Sequence, residues 1–305
     1  LRSPWGAVSA GGRLEATATA AVPTGRIAVT GTVDVAAAVR DFQPFLGPGE
    51  MFRAERGTIR FAGAVAGTAQ ARTLQWDASA EDLRLFYGDE PLRLTPPPRA
   101  ALSVRLPYAG PPELTALDVV LPFARVSGSG SLDRGSVSGE IDLTALSRDY
   151  RRIIRACPPM VGQILFQIAA ARKGPFSEVS ATAGIADLAV EARPGKRAVV
   201  QQADTHLAFR IPLQGGMPQP EADDVRWVCA FEGGSVSGAV ARVTLPRGGQ
   251  PVAAEGVRAA LDLDVRAVLQ AFRTLLPLPA GATAEGRLLL NLTAEVAGGA
   301  AEGKF

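Results

Sequence analysis

Residues that carry chemistry are scarce in this chain. Among 305 residues there is one histidine, His206, and there are two cysteines, Cys157 and Cys229. His206 falls on the polar side of an alternating stretch, and no serine or cysteine lies near it in a nucleophile pattern. Metal sites need several His, Cys or carboxylate ligands at close spacing, and none cluster. No catalytic residue, metal or cofactor is therefore expected, and the chain is not read as an enzyme. The two cysteines do not make a disulfide framework. Cys157 opens a Cys-Pro-Pro loop and Cys229 shares parity with Trp227 and Phe231, so both are expected to be unpaired thiols.

Charge of one sign is equally short. The 32 Lys and Arg are interspersed with 30 Asp and Glu for a net +2. No basic block exists, which leaves nucleic-acid binding without electrostatic support. No apolar run reaches the roughly 18 residues that a membrane-spanning helix requires. No signal peptide is visible at Leu1. The chain begins at Leu1 and ends at Phe305 inside a third repeat copy, so a segment of a longer protein is expected. Gly128-Ser-Gly130 reads as a turn, since it lacks the lysine and following helix of a phosphate-binding loop. Asn291-Leu-Thr293 fits a glycosylation sequon but falls inside an apparent strand.

What the chain has in quantity is small apolar residues. Apolar side chains make up 47%, aromatics only 6%, with 33 Gly and 23 Pro. That mixture suits many strands and turns better than long helices.

It also has internal repetition, which is read before anything else. Gly31-Thr-Val-Asp34-Val35 is a short strand running into an amphipathic helical stretch. Gly139-Glu-Ile-Asp142-Leu143 and Leu261-Asp-Leu-Asp264-Val265 repeat it, 108 residues on (34 to 142) and a further 122 (142 to 264). With the aspartates in register, the following twelve positions align without a gap. Phe42, Tyr150 and Phe272 coincide, as do Phe45, Ile153 and Leu275. These six are the expected contacts of helices at 36–46, 144–154 and 266–276, each too short to stand without packing on a sheet. The single Asp of each copy is expected to cap its helix. Each copy restarts with glycine and an apolar strand: Gly57 to Phe61, Gly162 to Phe166 and Gly286 to Leu290. Asp82-Leu-Arg-Leu85 matches Asp187-Leu-Ala-Val190. The units are drawn at 31–138, 139–258 and a partial 259–305, with 1–30 the tail of a preceding unit.

Between these markers the apolar period is two. Val8 to Val22 reads as strand with Gly11-Gly12 as a turn. Ile59, Phe61 and Val65 alternate with polar or small residues. Parity is even from Leu74 to Ala80, then odd at Leu83 and Leu85. A matching break before Asp187 points to a β-bulge or a short turn at both places. Ala101–Leu106, Leu117–Val126, Val199–Leu213, Trp227–Val240, Val243–Pro246 and Val257–Leu263 complete the strands. The fold class is mostly β, a repeated antiparallel sheet broken by one short helix per unit of about 110–120 residues. One apolar face must then be buried, either in a closed sandwich or barrel or in an open trough.

The strings Gly135-Ser-Val-Ser-Gly-Glu-Ile-Asp-Leu143 with Thr144-Ala-Leu146, and Ala80-Glu-Asp-Leu-Arg-Leu85, resemble the AsmA-like family, which includes the TamB and YhdP relatives. The resemblance spans nearly the whole chain. It implies a periplasmic protein of a diderm bacterium, anchored to the inner membrane by a segment not present here. It implies an elongated, twisted sheet curled into a hydrophobic groove that carries phospholipid between inner and outer membranes, with those membranes or their proteins as partners. On that reading Ile59, Phe61, Val65, Ile164, Phe166, Ile168, Leu288, Leu290 and Leu292 line the groove. The helices plug or edge it. The alternative is a structural or adhesive envelope protein with a closed β core and no ligand.

Overall fold

The alternating stretches become long antiparallel strands. The computed structural model describes residues 2–3, 6–15, 24–42, 52–150, 159–193, 196–245, 253–272, 283–297 and 300–304. Two compact units divide the chain. The first comprises residues 1–131 with 148–156, and the second 132–147 with 157–305.

The first unit is a meander of β1 (Arg2–Ser3), β2 (Gly6–Glu15), β3 (Thr24–Asp34), β4 (Phe52–Gly67), β5 (Ala71–Tyr87), β6 (Glu90–Pro91), β7 (Arg99–Pro107), β8 (Glu113–Leu121) and β9 (Ala124–Ser131). Consecutive strands pair antiparallel, and the two-residue β6 is bypassed by a β5–β7 pairing. The second unit continues the same plan with β10 (Arg134–Asp142), β11 (Met160–Lys173), β12 (Phe176–Arg193), β13 (Lys196–Gln214), β14 (Met217–Pro218), β15 (Glu221–Phe231), β16 (Gly234–Thr244), β17 (Ala253–Asp264), β18 (Arg287–Ala297) and β19 (Ala300–Lys304). Neither meander closes on itself among the described residues.

The described residues include three helices, α1 (Val35–Phe42), α2 (Leu143–Tyr150) and α3 (Val265–Phe272), each directly following a strand that ends in aspartate. Each starts one residue before the expected 36, 144 and 266. Their expected C-terminal parts, with Phe45, Ile153 and Leu275, lie outside the described residues. The side chains of Phe42 and Phe272 do as well. Six long strands separate α1 from α2, and six separate α2 from α3.

The aspartates are caps. Asp34 Oδ1 accepts the Ala37 N–H at 3.0 Å, Asp142 Oδ1 that of Ala145 at 2.9 Å, and Asp264 Oδ1 those of Arg266 and Ala267 at 2.9 and 3.1 Å. In the second unit, Thr144 and Ser147 of α2 accept the backbone N–H groups of Gly162 and Met160. This ties the helix to the strand that follows it.

The parity breaks are bulges within unbroken strands, not turns. Asp82 and Asp187 have φ of 47° and 52°. Asp82 and Leu83 together oppose Gly57, as Asp187 and Leu188 oppose Gly162. A side chain on Gly57 would meet Leu83 Cα at 2.7 Å, and one on Gly162 the Ala186 carbonyl at 2.8 Å. Glycine is required there by close approach as well as by φ of +137° and +130°. Asp224, at φ 49°, makes a third bulge that the repeat did not announce.

Some turns fall elsewhere than expected. Gly11-Gly12 is not a turn but runs straight within β2, opposite Ala28 and Ile27. A Cβ at Gly12 would run into the Arg26 carbonyl, so the glycine answers to a close neighbour. Leu117–Val126 is two strands, split at Pro122-Phe123, and Trp227–Val240 is split at Glu232-Gly233. Two-residue hairpins leave too short a gap in the pattern to show. Gly128-Ser-Gly130 lies inside β9, with its glycines opposite Leu117 and Leu114.

Candidate functional site: an exposed apolar sheet face

Residues directly opposite one another in a ladder share a face, and successive residues alternate. In the first unit one cross-strand row runs Val8, Gly31, Phe61, Ala78, Ala100 and Val119. The rows beside it carry Val29, Gly63, Trp76 and Leu102, then Ile27, Val65, Leu74 and Val104. The alternate rows carry Thr32, Arg60, Ser79 and Arg99, then Thr30, Ala62, Asp77 and Ala101. One face is hydrocarbon and the other is polar.

The second unit repeats this sidedness. Gly139, Phe166, Ala183 and Thr205 on β10 to β13 continue as Cys229, Val236, Leu261 and Leu290 on β15 to β18. Flanking rows hold Ile141, Ile164, Ile185 and Ala203, then Val137, Ile168, Ala181 and Leu207. Leu288 and Leu292 end those same rows on β18. His206 lies on the opposite face beside Thr182 and Val228, exposed as its parity indicated. Cys229, a free thiol, is on the apolar face.

Each expected groove residue is therefore on its unit's apolar face. Val65, Ile168 and Leu288 are 42% exposed and Leu290 55%, while Ile59, Phe61, Ile164, Phe166 and Leu292 are half-buried. Trp76, at 45%, was not singled out by sequence and is as open as its neighbours. Its even parity with Leu74 was the available signal. The described residues cover little of either face. Only ten apolar residues among those described are buried, among them Val35, Leu143 and Ala145 of α1 and α2. α1 packs on β3 and β4, and α3 on β13 and β17. Tyr150, a member of the first unit, sets its ring edge-on to Phe123 with centroids 5.0 Å apart and donates its hydroxyl to the Arg93 carbonyl.

Aromatic rings pave the apolar face of each unit. Phe61 lies across Gly31, Trp76 across Gly63 and Trp227 across Gly238, each ring occupying the space a Cβ of its opposite glycine would need. Phe61 and Trp76 stack at 5.5 Å with planes 16° apart. Glycine opposite an aromatic lets the ring lie down, so bulky residues add apolar area without adding height.

The polar faces are laced by cross-strand ion pairs: Arg60–Glu81 at 2.9 Å, Arg99–Asp118 at 3.3 Å and Arg242–Asp223 at 2.9 Å. The hydrogen bond from Arg287 holds the Asp262 carboxyl below its ordinary range. Clefts of about 720 and 440 Å³ lie on these polar faces, around Asp77 in the first unit and Arg226 in the second. Arg60 and Arg99 in the one, and Arg210 in the other, are already paired with carboxylates. The polar faces are mostly solvated surface, although Leu165 and Leu289, 56% and 61% exposed, lie on that of the second unit, and the continuous apolar rows are on the opposite faces.

Comparison with family models, with curated proteins and with solved structures gave no match.

Proposed function

We propose that the chain is a lipid carrier of the bacterial envelope, akin to the AsmA-like proteins it resembles. Phospholipid acyl chains lie against the apolar sheet face, which curls around them as a groove built from repeating units. The polar face stays in the aqueous periplasm between inner and outer membranes. Attachment to the inner membrane comes from a segment outside this sequence, and the partners are the two membranes or their proteins.

One observation carries this reading: long alternating strands leave Val65, Leu74, Trp76 and Leu102 at least 40% exposed on the apolar face of the first unit, and Ile168, Leu288 and Leu290 likewise on that of the second. Soluble proteins rarely leave a contiguous apolar patch open unless something binds there. The magnitudes favour a long chain as the occupant. Each methylene withdrawn from water contributes about 0.8 kcal/mol, so ten give about 8 kcal/mol. That is of the order of the 4–15 kcal/mol lost on association. A closed, ligand-free β core accounts less well for the exposure, because it would hide these residues behind its own side chains.

The test is lipid content. The chain purified from a diderm host should carry phospholipid detectable by mass spectrometry. The double variant Phe61→Asp, Phe166→Asp should lose it while keeping a β circular-dichroism spectrum. Equal lipid in both proteins would overturn the assignment of this face.

A further inference from the structure

On the second unit's apolar face, three adjacent rows cross β10 to β18, running from Val137, Gly139 and Ile141 to Leu292, Leu290 and Leu288. In these rows every side chain is hydrocarbon, aromatic or hydrogen except at one cross-strand pair, Thr205 opposite Cys229, and the Trp227 indole N–H is the one other donor. Thr205 is half-buried, and its hydroxyl has no hydrogen-bond partner among the described residues. Ala203 and Leu207 flank it along β13, and Trp227 sits diagonally, its ring laid over Gly238. No charged side chain belongs to these rows.

We infer that Thr205 is the polar anchor of the lipid seat, donating its hydroxyl hydrogen to the ester carbonyl of a bound acyl lipid. This rests on the lipid reading above and adds the ligand group that the seat recognises. The chemistry selects a neutral acceptor. A phosphate or ammonium would find no counter-charge in these rows, and burying an unpaired ion is prohibitive. An ester carbonyl needs one donor, and Thr205 supplies a hydroxyl in a largely apolar surround, where a hydrogen bond is stronger than in water. The Cys229 thiol, a weak donor, stands opposite. An alkane lying over the same place would cover the hydroxyl without satisfying it, at a desolvation cost. The seat therefore prefers an ester-bearing chain to a plain hydrocarbon of equal length.

Thr205→Val keeps the shape and removes the hydroxyl, and Thr205→Ser keeps the hydroxyl and removes a methyl. The probes are methyl palmitate and n-octadecane, delivered from cyclodextrin to the delipidated full chain and scored by displacement of a pyrene-labelled fatty acid. Thr205→Val should bind the ester roughly three- to ten-fold more weakly and the alkane several-fold more tightly. Thr205→Ser should keep the wild-type order. The inference is overturned if Thr205→Val leaves both affinities unchanged, or moves both by the same factor in the same direction. If the wild-type chain binds neither probe, the lipid reading itself fails. A vesicle arm with diacyl phosphatidylethanolamine and its ether-linked analogue extends the test to phospholipid. Loss of the ester preference there in Thr205→Val supports the anchor, and its persistence counts against it.

Discussion

Gly57 and Gly174 show how differently one residue type is held. Gly57, at φ +137°, faces a bulge whose Leu83 would strike any Cβ, whereas Gly174, at φ +60°, is a turn residue with open space around it. Gly174→Ala should cost only the left-handed strain of an L-residue, about 1–2 kcal/mol. Gly57→Ala adds a clash with the partner strand and should cost clearly more. Urea midpoints of the two variants check this, and equal losses would mean that the bulge yields to the added methyl. Asp149 gives a pH-dependent counterpart. The hydrogen bond from Arg148 lowers its carboxyl below the ordinary range, burial opposes that, and the charges of Arg148 and Arg93 reinforce it. A carboxylate lowered in the fold stabilises above its unfolded value near 4 and stops doing so as pH falls through the folded value. Asp149→Asn should therefore destabilise the chain at neutral pH and show a shallower loss of stability on acidification. Parallel wild-type and variant curves across that window would remove Asp149 from the balance.

At the scale of the element, the three strand-to-helix junctions use one device. The strand ends in aspartate, the chain turns into the helix at the next residue, and the carboxylate satisfies N–H groups of the first turn that have no helical partner. Asp34→Ala, Asp142→Ala and Asp264→Ala should each cost about 1 kcal/mol, read as a lowered thermal midpoint, and Asn at each position should restore most of it. No loss in any of the three would mean that packing alone holds these helices. These junctions were legible because a cap, a helical stripe and a restart glycine recur in fixed order at Asp34, Asp142 and Asp264. The bulges were legible because a bulge shifts parity, and Leu83 and Leu188 record that shift. Pro122-Phe123 and Glu232-Gly233 were missed for the opposite reason: their hairpins let the next strand resume within two residues. Gly12 misled because glycine in a strand answers to a close neighbour on the partner strand, which sequence does not display. The apolar face itself was legible from alternation. Thr205 was not, because a threonine in a strand is ordinary until ladder registers show that, Cys229 apart, it stands among apolar and aromatic neighbours.

At the scale of the whole molecule, the question is how much apolar surface the fold leaves to be covered. Among the described residues many large apolar side chains stay open, Trp76 at 45% and Leu290 at 55% among them. Within each unit the sheet is one-sided, and the eight described residues of each helix cover little of it. If acyl chains cover this surface, affinity must climb with chain length, because the driving force scales with the area removed from water. Each added methylene should strengthen binding by up to about 0.8 kcal/mol, close to fourfold, until the chain outgrows the face. A series of saturated fatty-acid methyl esters, run by displacement against the full chain, measures that slope. The heat-capacity change should become more negative along the series, the mark of apolar burial. A flat dependence on length would mean that the ligand is held by its polar end alone, and the exposed rows of Val65, Leu74 and Leu290 would then need another occupant.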